Sequence, residues 1–387
     1  MKKCLLMALT GTLLLSVGCG NQTEEPIATE YTGGLQTTTE TEGTETGSVD
    51  DTTVAVDDET TEVETTETET ETEPEEETEE TAYAEITSDG ELKDYGGVVV
   101  LDNAAYELYS YEEGLAEDYA GAVNSAAEAL DGSADVYNIV IPLSTGITFP
   151  DDRRDEINSS DEEASLNKIY AKMQENVHEV NIYDTLMKHR AEYLYFRTDH
   201  HWTALGAYYA YERFCAAKGI EPEAIEDYET VEYDDFIGSF YKDTEDEVLA
   251  ENPDSILAYY PNCEHKMTVT PAEGDDFTWK TIGNVENSQS RFKYATFIGG
   301  DNPFSVIENY DVTDGSACIV VKESFGNAFV PFLIDHYQYI YVVDYRYWSG
   351  TLSELVKETG ATDVIMINNL SMTRSKYLIG KLRSISK

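Results

Sequence analysis

Basic residues are the first scarcity in this 387-residue chain: 25 Lys and Arg stand against 77 Asp and Glu, a formal charge of −52. A nucleic acid or an anionic membrane surface would meet like-charge repulsion, so the composition speaks against both as partners. Cysteine is scarce as well, with five residues. Cys4 and Cys19 lie at the amino terminus, and Cys215, Cys263 and Cys318 allow at most one intramolecular disulfide. Cys318 sits inside an apolar run and reads as packing rather than as a nucleophile. Long hydrophobic runs are missing too: Leu5 to Leu15 falls well short of the roughly 20 apolar residues that span a bilayer. No phosphate loop, dinucleotide fingerprint or internal repeat is present, which removes the commonest nucleotide-dependent classes.

The amino terminus has the shape of an export signal. Lys2 and Lys3 precede the apolar stretch, which ends at Ser16, Val17 and Gly18 before Cys19. Residues 1–19 resemble a bacterial lipoprotein signal, with Ser16 where leucine is more usual; an ordinary secretory signal is the other reading. The resemblance implies lipid attachment at Cys19 and an extracytoplasmic protein anchored in the lipid bilayer at the outer face of the cell membrane. Residues 20–92 carry 25 Asp and Glu, no Lys or Arg, and abundant Thr. Such a segment buries too little apolar surface to offset chain entropy, and reads as a disordered, self-repelling tether. Residues 93–387 keep 52 acidic and 23 basic residues, an excess of 29 negative charges.

That remainder is long enough for one sizeable domain. Short β-branched runs at 98–101, 137–141, 177–182, 317–321, 339–343 and 363–367 alternate with helix-like stretches at 112–130, 160–175, 203–218, 325–334 and 351–359. The alternation predicts an α/β fold with a largely parallel sheet, whose reactive groups gather at the carboxyl ends of strands. Residues 219–291 break the rhythm with Pro222, Pro253, Pro261, Pro271 and many acids, and read as an irregular insertion.

Two segments carry chemistry. Thr198-Asp199-His200-His201-Trp202-Thr203 offers a carboxylate and imidazoles just before a helix that Thr203 caps and Gly219 ends. Residues two apart in an extended loop project to one side, so Asp199 can orient His201 while His200 faces away. In the second segment Ser324 follows the Ala317–Val321 run and precedes a helix starting near Phe325-Gly326-Asn327. A serine there is exposed above the sheet edge, and the amides of Ser324 and Phe325 are oxyanion candidates. Gly299 and Gly300, placed after an apolar strand at Phe297-Ile298, are further donors. A metal hydrolase using Asp199, His200 and His201 is a weaker alternative, because no His-Glu-x-x-His spacing accompanies the pair.

The hexapeptide from Thr198 to Thr203 resembles the signature of the DHHW family, SGNH-hydrolase-like proteins of Gram-positive bacteria. Glu323 to Leu333, Asp335-His336-Tyr337, Val343 to Tyr347, Phe236 to Tyr241 and Asn252-Pro253-Asp254 also look like family blocks. The family is similar in turn to the periplasmic proteins that acetylate alginate, in which an Asp-x-His pair precedes the serine. The resemblance implies an SGNH or flavodoxin-like three-layer sandwich with a circularly permuted catalytic order. It also implies an O-acyltransferase or carbohydrate esterase with Ser324 as nucleophile, His201 as base, Asp199 as its orienter, and neither metal nor cofactor. Glu323 and Lys322 depart from the Gly-Asp-Ser block of many SGNH enzymes, which leaves a non-catalytic glycan-binding protein as a further alternative. A polysaccharide acceptor would stack on Trp202, Tyr345, Tyr347 or Trp348, with Arg346 on a carboxylate or carbonyl oxygen, although a salt bridge also accounts for Arg346. The acyl donor would come from a membrane-bound O-acyltransferase.

Overall fold

Ala317–Lys322, a β-branched run buried along its whole length, is an inner strand of an eight-stranded sheet in the computed structural model, which describes residues 83–387. Burial on both faces is why this run reads as continuous rather than alternating hydrophobicity. In spatial order the sheet runs Val177–Glu179, Asp135–Ile141, Asp363–Asn369, Ala317–Lys322, Tyr339–Asp344, Phe304–Asn309, His265–Thr270 and Phe277–Trp279. The first five are parallel, and the last three join antiparallel to their neighbours. Val320 pairs with Ile365 on one side and Val342 on the other.

Helix Gly326–Leu333 carries the chain from Ala317–Lys322 to Tyr339–Asp344, and Leu352–Thr359 carries it back across to Asp363–Asn369. These crossovers run in opposite directions, so right-handed connections put their helices on opposite faces. Gly326–Leu333 packs on Ala204–Lys218, and Glu113–Ala129 packs on Lys376–Ile385. The result is a three-layer α/β sandwich with a mostly parallel sheet: the alternation of runs predicted the α/β fold and its parallel strands, and the family resemblance implied the three layers. Ala204–Lys218 begins and ends as read: the Thr203 side chain accepts from the Gly206 amide, and Gly219 closes the helix in the left-handed region.

Three features depart from the expectations. Val98–Leu101 is a strand, but in a separate three-stranded antiparallel sheet with Lys93–Asp94 and Ala104–Glu107. Residues 83–92, assigned to the tether, lie on the domain: the Ile86 amide donates to Asp151 Oδ2 at 3.0 Å, the Asp151 amide donates to the Ile86 carbonyl at 2.7 Å, and Arg153 donates to the Gly90 carbonyl at 2.8 Å. The 219–291 stretch is more regular than its prolines suggest. It holds the antiparallel pair Glu229–Phe236 and Asp254–Tyr260 and supplies the last two strands of the main sheet. Cys4 and Cys19 lie outside the described residues, and Cys215, Cys263 and Cys318 are free thiols.

At the carboxyl ends of the central strands lies a buried ion cluster. Lys322 ends the apolar run fully buried, its Nζ donating to Asp344 Oδ2 at 2.9 Å. Arg346 holds the same carboxylate with Nε at 2.9 Å and Nη2 at 2.7 Å, and its Nη2 also reaches Asp301 at 2.8 Å. Removing one partner strands the others in low dielectric. Asp344→Ala is therefore expected to cost about 3 kcal/mol in chemical denaturation; a loss below about 1 kcal/mol would mean the cluster is as well solvated as a surface pair.

Candidate active site

The chain entering the Asp-His segment is pinned from the 219–291 stretch. Asp254, wholly buried, accepts from the Thr198 amide at 2.8 Å, Thr198 Oγ1 at 2.6 Å and Arg197 Nε at 3.0 Å, and also from the Tyr193 hydroxyl. A buried carboxylate without donors would be costly, so these bonds define one path for the backbone. Gly238 approaches from the other side: a Cβ there would lie 2.2 Å from Asp199 Oδ2, so only glycine admits the contact. The next amide, Ser239 N–H, donates to Asp199 Oδ2 at 2.8 Å.

Asp199 Oδ1 accepts from the His201 amide at 3.0 Å and from His201 Nδ1 at 2.5 Å. That bond leaves the proton on Nδ1 and turns the Nε2 lone pair toward Ser324, whose Oγ donates to it at 2.8 Å. Ser324 stands just past its strand, at the turn into Gly326–Leu333. The three residues, 123 positions apart at the extremes of the Ser–His bond, thus form one hydrogen-bonded chain.

His201 lies between two rings. Tyr294 stacks on one side, with centroids 3.9 Å apart and planes 12° from parallel, and donates its hydroxyl to the Ser324 carbonyl at 3.1 Å. His200 lies 3.9 Å away, tilted by 35°, with its Nδ1 2.6 Å from Ser239 Oγ. His200 therefore belongs to the site rather than facing away, because Ser239 turns it back over the neighbouring imidazole. Burial, helped by His200, pushes His201 down to about 4 against the pull of Asp199. Burial opposes ionisation of Asp199, but the two histidines and its hydrogen bonds outweigh it and hold the carboxylate well below its usual range. At neutral pH the pair is a carboxylate and a neutral base. Asp199, His200 and His201 also offer ligand atoms within 4.8 Å of one another. Both ring nitrogens of His201 are already engaged, however, so a cation there would displace Asp199 or Ser324 from the imidazole.

The candidate oxyanion donors divide. Glu323, buried, folds its carboxylate back so that Oε2 accepts the Phe325 amide at 3.1 Å and Oε1 the Asn369 amide at 2.9 Å. Burial raises this carboxyl despite Arg346 and those amides. Phe325 N–H is thus committed, which corrects the expectation for it. Gly300 N–H is committed to the Phe297 carbonyl at 3.0 Å. Phe297 and Ile298 form no strand either: they follow a 3-10 turn, Ser290–Thr296, and Phe297 makes an isolated bridge with Ile282. For Ser324 N–H and Gly299 N–H no acceptor is found among the described residues.

The expected sugar-binding side chains are mostly elsewhere. Trp202 is fully buried and donates Nε1 to the Phe325 carbonyl at 2.9 Å, tying the histidine loop to the serine turn. Tyr345 is fully buried and presents no face to a ligand. Trp348 is half-buried and lies nearly parallel to Phe304, and Arg346 is held by Asp344 and Asp301. Tyr294, Asp254, Ser239 and Asp301 were not singled out from the sequence. Asp254 and Ser239 fall within the blocks that carry the resemblance, whereas nothing in the pattern around Tyr294 marks it.

The mostly parallel three-layer sandwich, with a serine past its central strand reached by histidine and aspartate from earlier in the chain, defines an SGNH-like α/β protein. The chain belongs to the DHHW family: the DHHW protein family model matches residues 37–343. A DHHW family protein from Eubacterium siraeum is 30% identical, covers 76% of this chain and 97% of its own, and superposes with TM-score 0.68. Bacillus cereus PatB1, in a structure with a sulfonyl adduct, shares the fold at 19% identity and TM-score 0.61, covering 73% of this chain and 97% of its own. The O-acetyltransferase domain of Pseudomonas putida AlgJ is more remote, at 13% identity and TM-score 0.43, covering 74% of this chain and 98% of its own. No curated protein matches the chain.

An NMR titration of His201 is expected to show a midpoint near 4, below the 6.5 of a free imidazole. Between those values the unfolded chain binds a proton that the folded site refuses, so this residue's contribution is complete above 6.5 and is lost as pH falls toward 4. A midpoint at or above 6.5 would mean that Asp199 outweighs burial.

Proposed function

We propose that this protein is an extracytoplasmic, serine-dependent O-acyltransferase acting on a cell-surface or secreted polysaccharide. The observation that carries the reading is the unbroken hydrogen-bonded chain from Asp199 through His201 to Ser324. Ser324 Oγ attacks the carbonyl carbon of an acyl donor while His201 Nε2 takes its proton, and Asp199 stabilises the imidazolium. Charge collecting on the carbonyl oxygen would be met by the Ser324 and Gly299 amides. The bond to the leaving group breaks, His201 returns the proton to that group, and an acyl ester remains on Ser324. An acceptor hydroxyl then gives its proton to His201 and attacks the ester, and His201 passes that proton to Ser324 Oγ as the bond to the serine breaks.

Water in place of the sugar makes the same machinery an esterase, so the difference between the two lies in how well a sugar is held. Acyl groups are activated inside the cell, which makes a membrane-bound O-acyltransferase the proposed donor partner. The resemblance to a lipoprotein signal supports anchoring through Cys19. A second reading, a glycan-binding protein that keeps the fold without the reaction, is favoured by one observation: the Glu323 carboxylate occupies the Phe325 amide next to the serine.

Incubation with p-nitrophenyl acetate, followed by intact-mass spectrometry, is expected to add one acetyl group that maps to Ser324. His201→Ala and Asp199→Asn are each expected to slow that step about 10,000-fold. A folded protein that never acylates, with Ser324→Ala keeping full function in cells, would establish the binding reading instead. For the anchor, Cys19→Ala is expected to move the protein from the membrane fraction to the medium; unchanged membrane association would exclude lipidation at that residue.

A further inference from the structure

The proposed transfer needs a surface that prefers sugar to water, and Trp202, Tyr345 and Arg346 cannot supply it because burial and ion pairing commit them. We propose that Trp279, backed by Phe277, is the stacking platform of an acceptor subsite for a neutral sugar ring of the polysaccharide. This rests on the acyl-transfer reading and adds to it the place where the acceptor is held.

Phe277 and Trp279 lie two apart on the last strand of the main sheet, so both side chains project from one face. They are 38% and 36% exposed, and their rings meet edge to face at 6.2 Å and 85°, which braces the indole. The five-membered ring of the indole packs on Gly299. A Cβ there would lie 2.7 Å from Trp279 Cδ1, and the backbone has φ +73°, so glycine is needed on both counts.

From Gly299 the path to the nucleophile is short. Asp301, two residues on, accepts from Asn327 Nδ2 at 3.0 Å, and the Asn327 amide donates to the Ser324 carbonyl at 3.1 Å. On the other side of Asp301, Arg346 pairs with it at 2.8 Å, and Tyr347, 47% exposed, lies against that guanidinium at 5.3 Å. Exposed aromatic rings therefore flank the loop that borders Ser324.

The surroundings select the occupant. Asp275, Asp276 and Lys280 flank the two rings in the chain and are exposed, so apolar ring surface is accompanied by polar groups. A pyranose has the same division, C–H bonds on its face and hydroxyls at its edge, whereas a protein partner would call for a larger apolar patch. The excess of 29 negative charges over residues 93–387 opposes a polyanionic chain, so the sugar is neutral.

The chain has three tryptophans, and of these Trp202 is buried and Trp348 half-buried, so Trp279 can be followed chemically. The test oxidises the detergent-solubilised full chain with N-bromosuccinimide and maps the modified tryptophans by peptide mass. Oxidation is run alone, with cellohexaose, chitohexaose or maltohexaose, and with an oligogalacturonide as the anionic comparison. At least one neutral hexasaccharide is expected to protect Trp279. Trp279→Ala is expected to raise the half-saturating concentration of that sugar about tenfold, and Trp279→Tyr to restore most of the affinity. Equal oxidation of Trp279 with every sugar, protection by the anionic sugar alone, or undiminished binding by Trp279→Ala would overturn the subsite. Acylation of Ser324 by p-nitrophenyl acetate is read on the same wild-type preparation. Sugar protection without acylation would sink the proposed chemistry and leave the subsite standing, and acylation without protection would do the reverse.

Discussion

The site depends on one buried carboxylate that takes no part in its chemistry. Asp254 accepts hydrogen bonds from the backbone and side chains of Arg197 and Thr198, and so sets the chain one residue before Asp199. Gly238 and Ser239 close on Asp199 from the other side. A hexapeptide of small polar and aromatic residues has no reason to hold one conformation in water. It holds one here because leaving any of these buried donors or acceptors unpaired would cost more than ordering the loop. The stretch between residues 219 and 291 is thus part of the site's construction as well as of the sheet.

Around His201 the structure sets opposing influences against each other. Asp199 favours the imidazolium, while burial and His200 favour the neutral ring. The outcome is a base free to receive a proton and a carboxylate ready to stabilise it afterwards. Tyr294 and Trp202 add mechanical definition. One stacks on the imidazole and holds the Ser324 carbonyl, and the other joins the histidine loop to Phe325, so loop and turn are tied together at two points. The Lys322–Asp344–Arg346–Asp301 cluster serves the same end from below, tying the strand that delivers the serine to its neighbours.

Much of the fold was legible in the runs of Val and Ile, since strands buried on both faces must be apolar throughout. Ala317–Lys322, Tyr339–Asp344 and Asp363–Asn369 were read within a residue or two. His265–Thr270 and Phe304–Asn309 were not, because each alternates buried and less buried residues among polar neighbours. Phe297-Ile298 misled in the opposite way: its apolar character serves a turn that packs under Tyr294.

By itself the sequence determined which groups could react and in what order they occur along the chain: a carboxylate two residues before an imidazole, and a serine at a strand-to-helix junction. Those are local facts, since residue spacing and turn chemistry suffice to state them. Which neighbours those groups meet was decided only by tertiary structure. The Ser324–His201 contact joins residues 123 positions apart, Glu323 folds back on the Phe325 amide, and Trp202 and Tyr345 are buried while Trp279 stays exposed. Burial and long-range hydrogen bonds depend on what the rest of the chain packs against each residue, and no local pattern carries that information.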